Sequence, residues 1–121
     1  MSARNVSLED RLLRAIVGRA KRRFAVDCGS YPGAVQRRLK LGARRFADSF
    51  SEREPADLLA ELREEALDVG AWALLALQRL AAEPGGVPER VQDDLLRCAL
   101  LGAVADYYAQ RAGRRLREGR P

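Results

Sequence analysis

The chain has 121 residues, of which 47% are hydrophobic, 32% charged and 6% aromatic. This balance predicts one soluble domain over residues 1–121, large enough to bury a core without disulfides or a structural metal. No His and only two cysteines are present, which excludes the usual zinc sites and histidine-based acid–base catalysis. No apolar signal segment follows Met1, and the longest charge-free apolar stretch, 69–77, is far below the roughly 20 residues of a membrane span. We therefore expect a cytoplasmic protein with reduced thiols and no membrane partner.

The net charge of +5 is unevenly distributed along the chain. Residues 1–50 carry twelve Lys/Arg against four Asp/Glu, residues 51–110 carry five against twelve, and residues 111–121 carry five against one. Such a pattern favours packing between oppositely charged segments, and it also suits a polyanion bridged through a metal ion.

Hydrophobic periodicity predicts an all-α fold, with four helices in a four-helix bundle-like architecture. The first helix runs from about Leu8 to Phe24, with Ser7 as its N-cap. The turn-forming segment 27–33 separates it from the second helix, which covers about Ala34 to Phe46.

The third and fourth helices make up the second half of the chain. The third begins at Pro55, which suits a first helical turn, and runs to about Ala82. Its part 66–80 is apolar nearly all the way round, as in a central helix buried by several neighbours. The fourth runs from about Glu89 to Arg115, and its apolar positions are core candidates: Val91, Leu95, Leu96, Leu100, Val104, Tyr107 and Tyr108. Residues 1–6 and 117–121 are expected to fray.

Four carboxylates share one face of the third helix: Glu61, Glu64, Glu65 and Asp68. They fall within an arc of roughly 100°, because successive residues of a helix are rotated by about 100°. None has a Lys or Arg three or four residues away in the helix, and the spacing makes four like-charged pairs. At about 0.2–0.5 kcal/mol per pair, the cluster costs the helix about 1–2 kcal/mol unless a cation neutralises it. A divalent metal ion and arginines from a neighbouring helix are the two candidates.

The spacing suits a hard divalent cation. Glu61, Glu65 and Asp68 lie at i, i+4 and i+7, and Glu64 can join them from the flank, so Mg²⁺ or Mn²⁺ could be bound by their oxygens. The alternative is a solvated acidic face, or an ion-pair surface for the basic second helix. Trp72 lies one turn beyond Asp68, where it could stack on a nucleotide base or pack in a core or subunit interface.

Two runs resemble a known family. The run R-E-E-A-L-D-V at positions 63–69 resembles the E-E-x-x-D-V half-motif of the MazG-like all-alpha nucleotide pyrophosphohydrolases, in which the Glu and Asp coordinate Mg²⁺. The run R-L-K-L-G-A-R-R-F-A-D-S-F at positions 38–50 resembles a pattern of small phage and actinobacterial relatives. The resemblance covers about residues 35–80, and it implies an assembly of subunits whose sites form at subunit contacts.

One departure from the family pattern concerns the first acidic element. The family carries E-E-x-x-E on the preceding helix, whereas this chain has no acid between Val35 and Phe46. Either Glu61 and Glu64 replace the missing ligands, or the site is degenerate and the chain hydrolyses nothing.

The second helix instead carries two rows of basic residues. Arg37 aligns with Arg44 and Arg38 with Arg45, while Lys40 lies beside the first row. Guanidinium groups hold phosphates in a two-pronged manner, so these side chains could bind a triphosphate opposite the metal. The alternative is that they pair with the acidic helix or face solvent.

Three further features have competing interpretations. Asp106 lies among small residues of the fourth helix, where it could be a metal ligand, an arginine partner or a surface group. The basic clusters 21–23 and 111–117 could contact nucleic acid, but no aromatic residues interleave with them, and solvated charge is favoured.

The resemblance therefore implies a Mg²⁺-dependent nucleoside triphosphate pyrophosphohydrolase, and we expect it to assemble as a homo-oligomer. As the resemblance implies, Glu61, Glu65 and Asp68 would hold the metal, and Glu64 or Glu61 would orient the attacking water. From the residue types and their spacing, we expect the substrate to contact the following residues: Arg37, Lys40, Arg44, Arg45 and Trp72. The alternatives are a catalytically degenerate helical module that binds a nucleotide or a protein partner, and a basic nucleic-acid-associated helical protein.

Overall fold

The structure is a computed structural model that describes residues 7–45 and 53–119, with side chains of the second helix described as far as Gly42. Over these residues the chain forms four helices and no strand: α1 (Leu8–Phe24), α2 (Tyr31–Arg45), α3 (Pro55–Ala81) and α4 (Glu89–Arg117). The all-α prediction is confirmed. None of the described helices combines the length and the apolar character needed to cross a membrane.

Helices α1 and α2 form one compact unit. The predicted bounds of α1 are confirmed, and the Ser7 hydroxyl accepts a hydrogen bond from the Asp10 amide at 3.1 Å, as an N-cap does. Helix α2 begins at Tyr31, three residues earlier than predicted, because Pro32 lies in a first turn, where a missing N–H costs no helical hydrogen bond. The predicted end at Phe46 lies outside the described residues. Between the helices, Gln36 Nε2 donates to Asp10 Oδ1 at 2.9 Å.

Helices α3 and α4 form a second unit, a helical hairpin. The turn between them contains Gly85 and Gly86 at φ values of 91° and 70°, which only glycine adopts readily. Helix α3 begins at the predicted residue and ends one residue before the predicted one, while α4 continues two residues beyond its predicted end.

A seam of small residues holds the hairpin together. The residues of the pair that are buried are Ala66 and Ala73 on α3 and Gly102 and Ala109 on α4, spaced seven apart on each helix. Residues seven apart return to the same side of a helix, so each helix presents one narrow stripe to the other. The two backbones approach closely because these side chains are no larger than a methyl group.

The large apolar residues lie outside this seam. Helix α3 exposes Trp72 to 70%, and Leu67 and Leu74 to 56% each, whereas a central buried helix was predicted. On α4, Leu100 is 61% exposed, and of the seven predicted core residues only Leu95 is not classed as exposed. Within the unit formed by α3 and α4, the prediction of a buried core at these positions is wrong. The small residues between the helices displace the large ones to the flanks of the hairpin.

Candidate functional site

All four carboxylates of the acidic cluster are exposed on α3, but they do not share one environment. Glu61 Oε1 lies 3.5 Å from Arg53 Nη1, in an ion pair whose side chains are 53% and 38% exposed. Part of the positive charge that the cluster requires therefore comes from Arg53, which lies just before α3 and is not a neighbour within the helix. An exposed pair of this kind contributes about 0–1 kcal/mol, which leaves most of the repulsion among the other acids in place.

Glu65 and Asp68 line a shallow cavity of about 400 Å³ on one flank of the hairpin, together with Trp72. Its other walls are Val69 and Ala73 of α3 and Leu95 and Cys98 of α4. Three of the predicted site residues are thus brought together, two as carboxylates and one as an aromatic ring. Neither Glu61 nor Glu64 lines this cavity.

The carboxylates fit a metal ion only in part. Within residues 7–45 and 53–119, no group of three or more His, Cys, Asp or Glu side chains converges closely enough to hold a metal. The predicted trio of Glu61, Glu65 and Asp68 is therefore not assembled. Glu65 and Asp68 remain together, and a pair of carboxylates is the donor set that Mg²⁺ commonly uses alongside substrate phosphates and water.

The basic residues of α2 lie in the other unit. Arg37 and Lys40 are exposed, and Lys40 lines a cavity of about 320 Å³ with Glu9, Gln36 and Leu39. The structure describes the backbone of Arg44 and Arg45 but not their side chains, so their predicted phosphate contacts stay predictions.

Asp106 is an arginine partner, one of the three roles considered for it. Arg63 Nε donates to its Oδ1 at 3.0 Å, and Gln110 Nε2 donates to its Oδ2 at 2.8 Å. The hydrogen bond from Arg63 is the main reason why the pKa of Asp106 lies below its ordinary value, and Gln110 acts in the same direction. Sequence reasoning missed Arg63, because its partner lies 43 residues away on the facing helix.

Both cysteines are free thiols, as predicted, with Cys98 exposed beside the Glu65–Asp68 cavity.

Comparisons with protein-family models, with curated proteins and with solved structures gave no match. The family resemblance of about residues 35–80 therefore stays a prediction.

Proposed function

We propose that the protein is a Mg²⁺-dependent nucleoside triphosphate pyrophosphohydrolase, which converts a triphosphate and water into a nucleoside monophosphate and pyrophosphate. The observation that carries this proposal is the cavity in which Glu65 and Asp68 lie beside Trp72. Two carboxylates supply oxygen ligands for a metal bound to phosphates, and an exposed indole supplies a surface on which a base can stack.

Different residues of the chain would bind the metal ion, orient the attacking water and bind the phosphates. Glu65 and Asp68 would hold the Mg²⁺, which when bound neutralises charge that develops on the phosphate oxygens. Glu64 is the better candidate to orient the attacking water, because the carboxylate of Glu61 is engaged by Arg53. Water attacks the α-phosphorus and gives its proton to the carboxylate that orients it, the bond from the α-phosphorus to the α–β bridging oxygen breaks, and pyrophosphate leaves with that bond's electrons. Arg37, Lys40, Arg44 and Arg45 are proposed to bind phosphates.

We further propose that the protein acts as a homo-oligomer, with the flanks of the hairpin covered by a second copy. Trp72, Leu74 and Leu100 are each more than half exposed in the single chain. Monomeric soluble proteins rarely expose contiguous apolar patches larger than about a few hundred Å², so a surface rich in such side chains favours a partner.

A second candidate is a catalytically degenerate helical module that binds nucleotide or a protein partner. Two observations favour it: the described part of the chain has no metal-binding group of three ligands, and α2 carries no acid. A basic nucleic-acid-associated protein is the third reading, and the exposed arginines at the end of α4 are its support.

One experiment separates these functions. Pyrophosphate release is measured from a panel of canonical and modified nucleoside triphosphates with Mg²⁺, with Mn²⁺ and with EDTA. We expect metal-dependent release that the double variant Glu65→Gln, Asp68→Asn abolishes, whereas Asp93→Asn, an exposed acid of α4 that lines none of the cavities described here, has no effect. Nucleotide binding without release would favour the degenerate module, and binding only to nucleic acid with steep salt dependence would favour the third reading.

A further inference from the structure

A second cavity lies between the first turns of α3 and the last turns of α4. It measures about 280 Å³, and it shares no lining residue with the Glu65–Asp68 cavity. Its polar lining consists of Arg63, Gln110, Arg114 and Arg117, set among alanine, leucine and glycine residues. No acidic side chain lines it. The cavity therefore combines three arginine residues with a small apolar wall.

One of the three arginines is held in place. Asp106 accepts from Arg63 Nε with one oxygen and from Gln110 Nε2 with the other, and its side chain is only 17% exposed. This arrangement leaves both terminal guanidinium nitrogens of Arg63 without a partner among the described residues. A guanidinium that is fixed through Nε presents its remaining N–H groups in a defined direction, which lowers the entropy cost of binding an anion.

The other two arginines are unpaired within the described ranges 7–45 and 53–119. The side chain of Arg117 extends along α4 toward Gly113, and its Nη1 lies 3.5 Å from the position that a Cβ atom would occupy at Gly113. The glycine therefore leaves room in which this guanidinium can lie against the helix. Arg114 lines the same cavity from the preceding turn.

The charges indicate the class of ligand. Among the residues that line the cavity, three arginines face no acid, and the carboxylate of Asp106 is bonded to one of them, so the lining and its bonded partner together carry two positive charges in excess. A phosphate monoester carries about −1.5 to −2 at pH 7 and offers three acceptor oxygens, whereas a carboxylate carries only one charge. Arginine forks match phosphate oxygens in geometry as well as in charge.

We infer that this cavity is a binding site for the dianionic phosphate group of a small phosphomonoester, with Arg63, Arg114 and Arg117 as its ligands and Asp106 as a positioning residue. The alanine and leucine side chains of the wall would cover the organic part of the ligand. The inference stands apart from the proposed pyrophosphohydrolase activity, since it uses different residues on the same two helices.

Calorimetric titration of the full chain with inorganic phosphate and with phenyl phosphate, at pH 7.5 and constant ionic strength, tests this site. We expect one saturable site per chain, and affinity at least about tenfold lower in Arg117→Gln and in Arg114→Gln, as expected for loss of a hydrogen bond between charged groups. Arg115→Gln is the matched control, because it removes the same charge from the same helix at a residue that does not line the cavity. Equal weakening by all three variants would overturn the site.

Two further experiments distinguish a site with oriented guanidinium groups from a surface that attracts anions only by its net positive charge. Asp106→Ala makes the region more positive but releases Arg63, so we expect weaker phosphate binding, with the fold checked by circular dichroism; tighter binding would overturn the proposal. A short oligonucleotide without terminal phosphates carries only phosphodiesters, and we expect it to compete poorly with phenyl phosphate. If only the oligonucleotide binds, the end of α4 is a nucleic-acid patch and the phosphomonoester site is wrong.

Discussion

Helices α3 and α4 approach each other closely at Gly102, and replacing this glycine by alanine tests whether the seam exists as described. An added Cβ would lie 2.9 Å from the carbonyl oxygen of Ala66 and 3.1 Å from both Cβ and Cγ1 of Val69. The carbonyl belongs to the backbone and cannot rotate away, so α3 and α4 must move apart by several tenths of an ångström.

The expected magnitude follows from two opposing effects. Inside a helix, Gly→Ala stabilises by about 1 kcal/mol through backbone entropy. Overpacking a close contact costs about 1–3 kcal/mol. We therefore expect Gly102→Ala to change the free energy of unfolding by between about 0 and −2 kcal/mol. Gly70→Ala is the matched control, since Gly70 lies inside α3 and nothing is within 4 Å of its added Cβ.

Urea unfolding followed by circular dichroism measures both variants. We expect Gly70→Ala to be about 1 kcal/mol more stable than the wild type, which separates the two variants by about 1–3 kcal/mol, or about 4–12 °C in Tm for a domain of this size. If Gly102→Ala gains as much stability as Gly70→Ala, the helices do not touch at this seam and the hairpin geometry is refuted.

Three other predictions concern the metal, the ion pair and the assembly. Millimolar Mg²⁺ or Mn²⁺ should raise Tm, because a ligand that binds only the native state stabilises it, and Glu65→Gln with Asp68→Asn should abolish the shift; a wild type indifferent to metal would contradict the metal site. Because the pKa of Asp106 is lowered in the folded state, the stability that its carboxylate contributes is complete above about pH 4 and is lost as the pH falls through the lowered pKa. In urea unfolding experiments, Asp106→Asn should therefore lose less stability between about pH 5 and 2 than the wild type does. An equal loss in both proteins would argue against the Arg63–Asp106 pair. Light scattering should show an oligomer that Leu100→Asp dissociates, and a 13.4 kDa wild-type species at tens of micromolar would count against assembly.

Local sequence signals predicted the helices well and the contacts between them poorly. The N-cap at Ser7 and the proline at position 55 are local signals. They predicted the first residues of α1 and α3 correctly. The start of α2 at Tyr31 does not follow from local signals, because Pro32 fits a turn as well as it fits a first helical turn.

The candidate site was predictable to the extent that it lies on one helix. Glu65, Asp68 and Trp72 share a face of α3 by helical spacing alone, and the structure places all three on one cavity. The pairing of Arg63 with Asp106 was not predictable, because it depends on the register of α3 against α4. That register includes a close contact at Gly102, and the periodicity of one helix does not specify which residue of the other helix lies opposite.

The same seam explains why apolar periodicity was a good guide to helices and a poor guide to burial. A helix pair that meets through large side chains buries them between its axes, whereas a pair that meets through Ala66, Ala73, Gly102 and Ala109 turns its large side chains to the two flanks. Leucines at i, i+3 and i+4 then mark a face that requires a neighbour, but they do not say whether the neighbour is the other helix of the pair. Ala and Gly spaced by seven carried that information in this chain, because small residues facing each other on two helices permit the closest backbone approach.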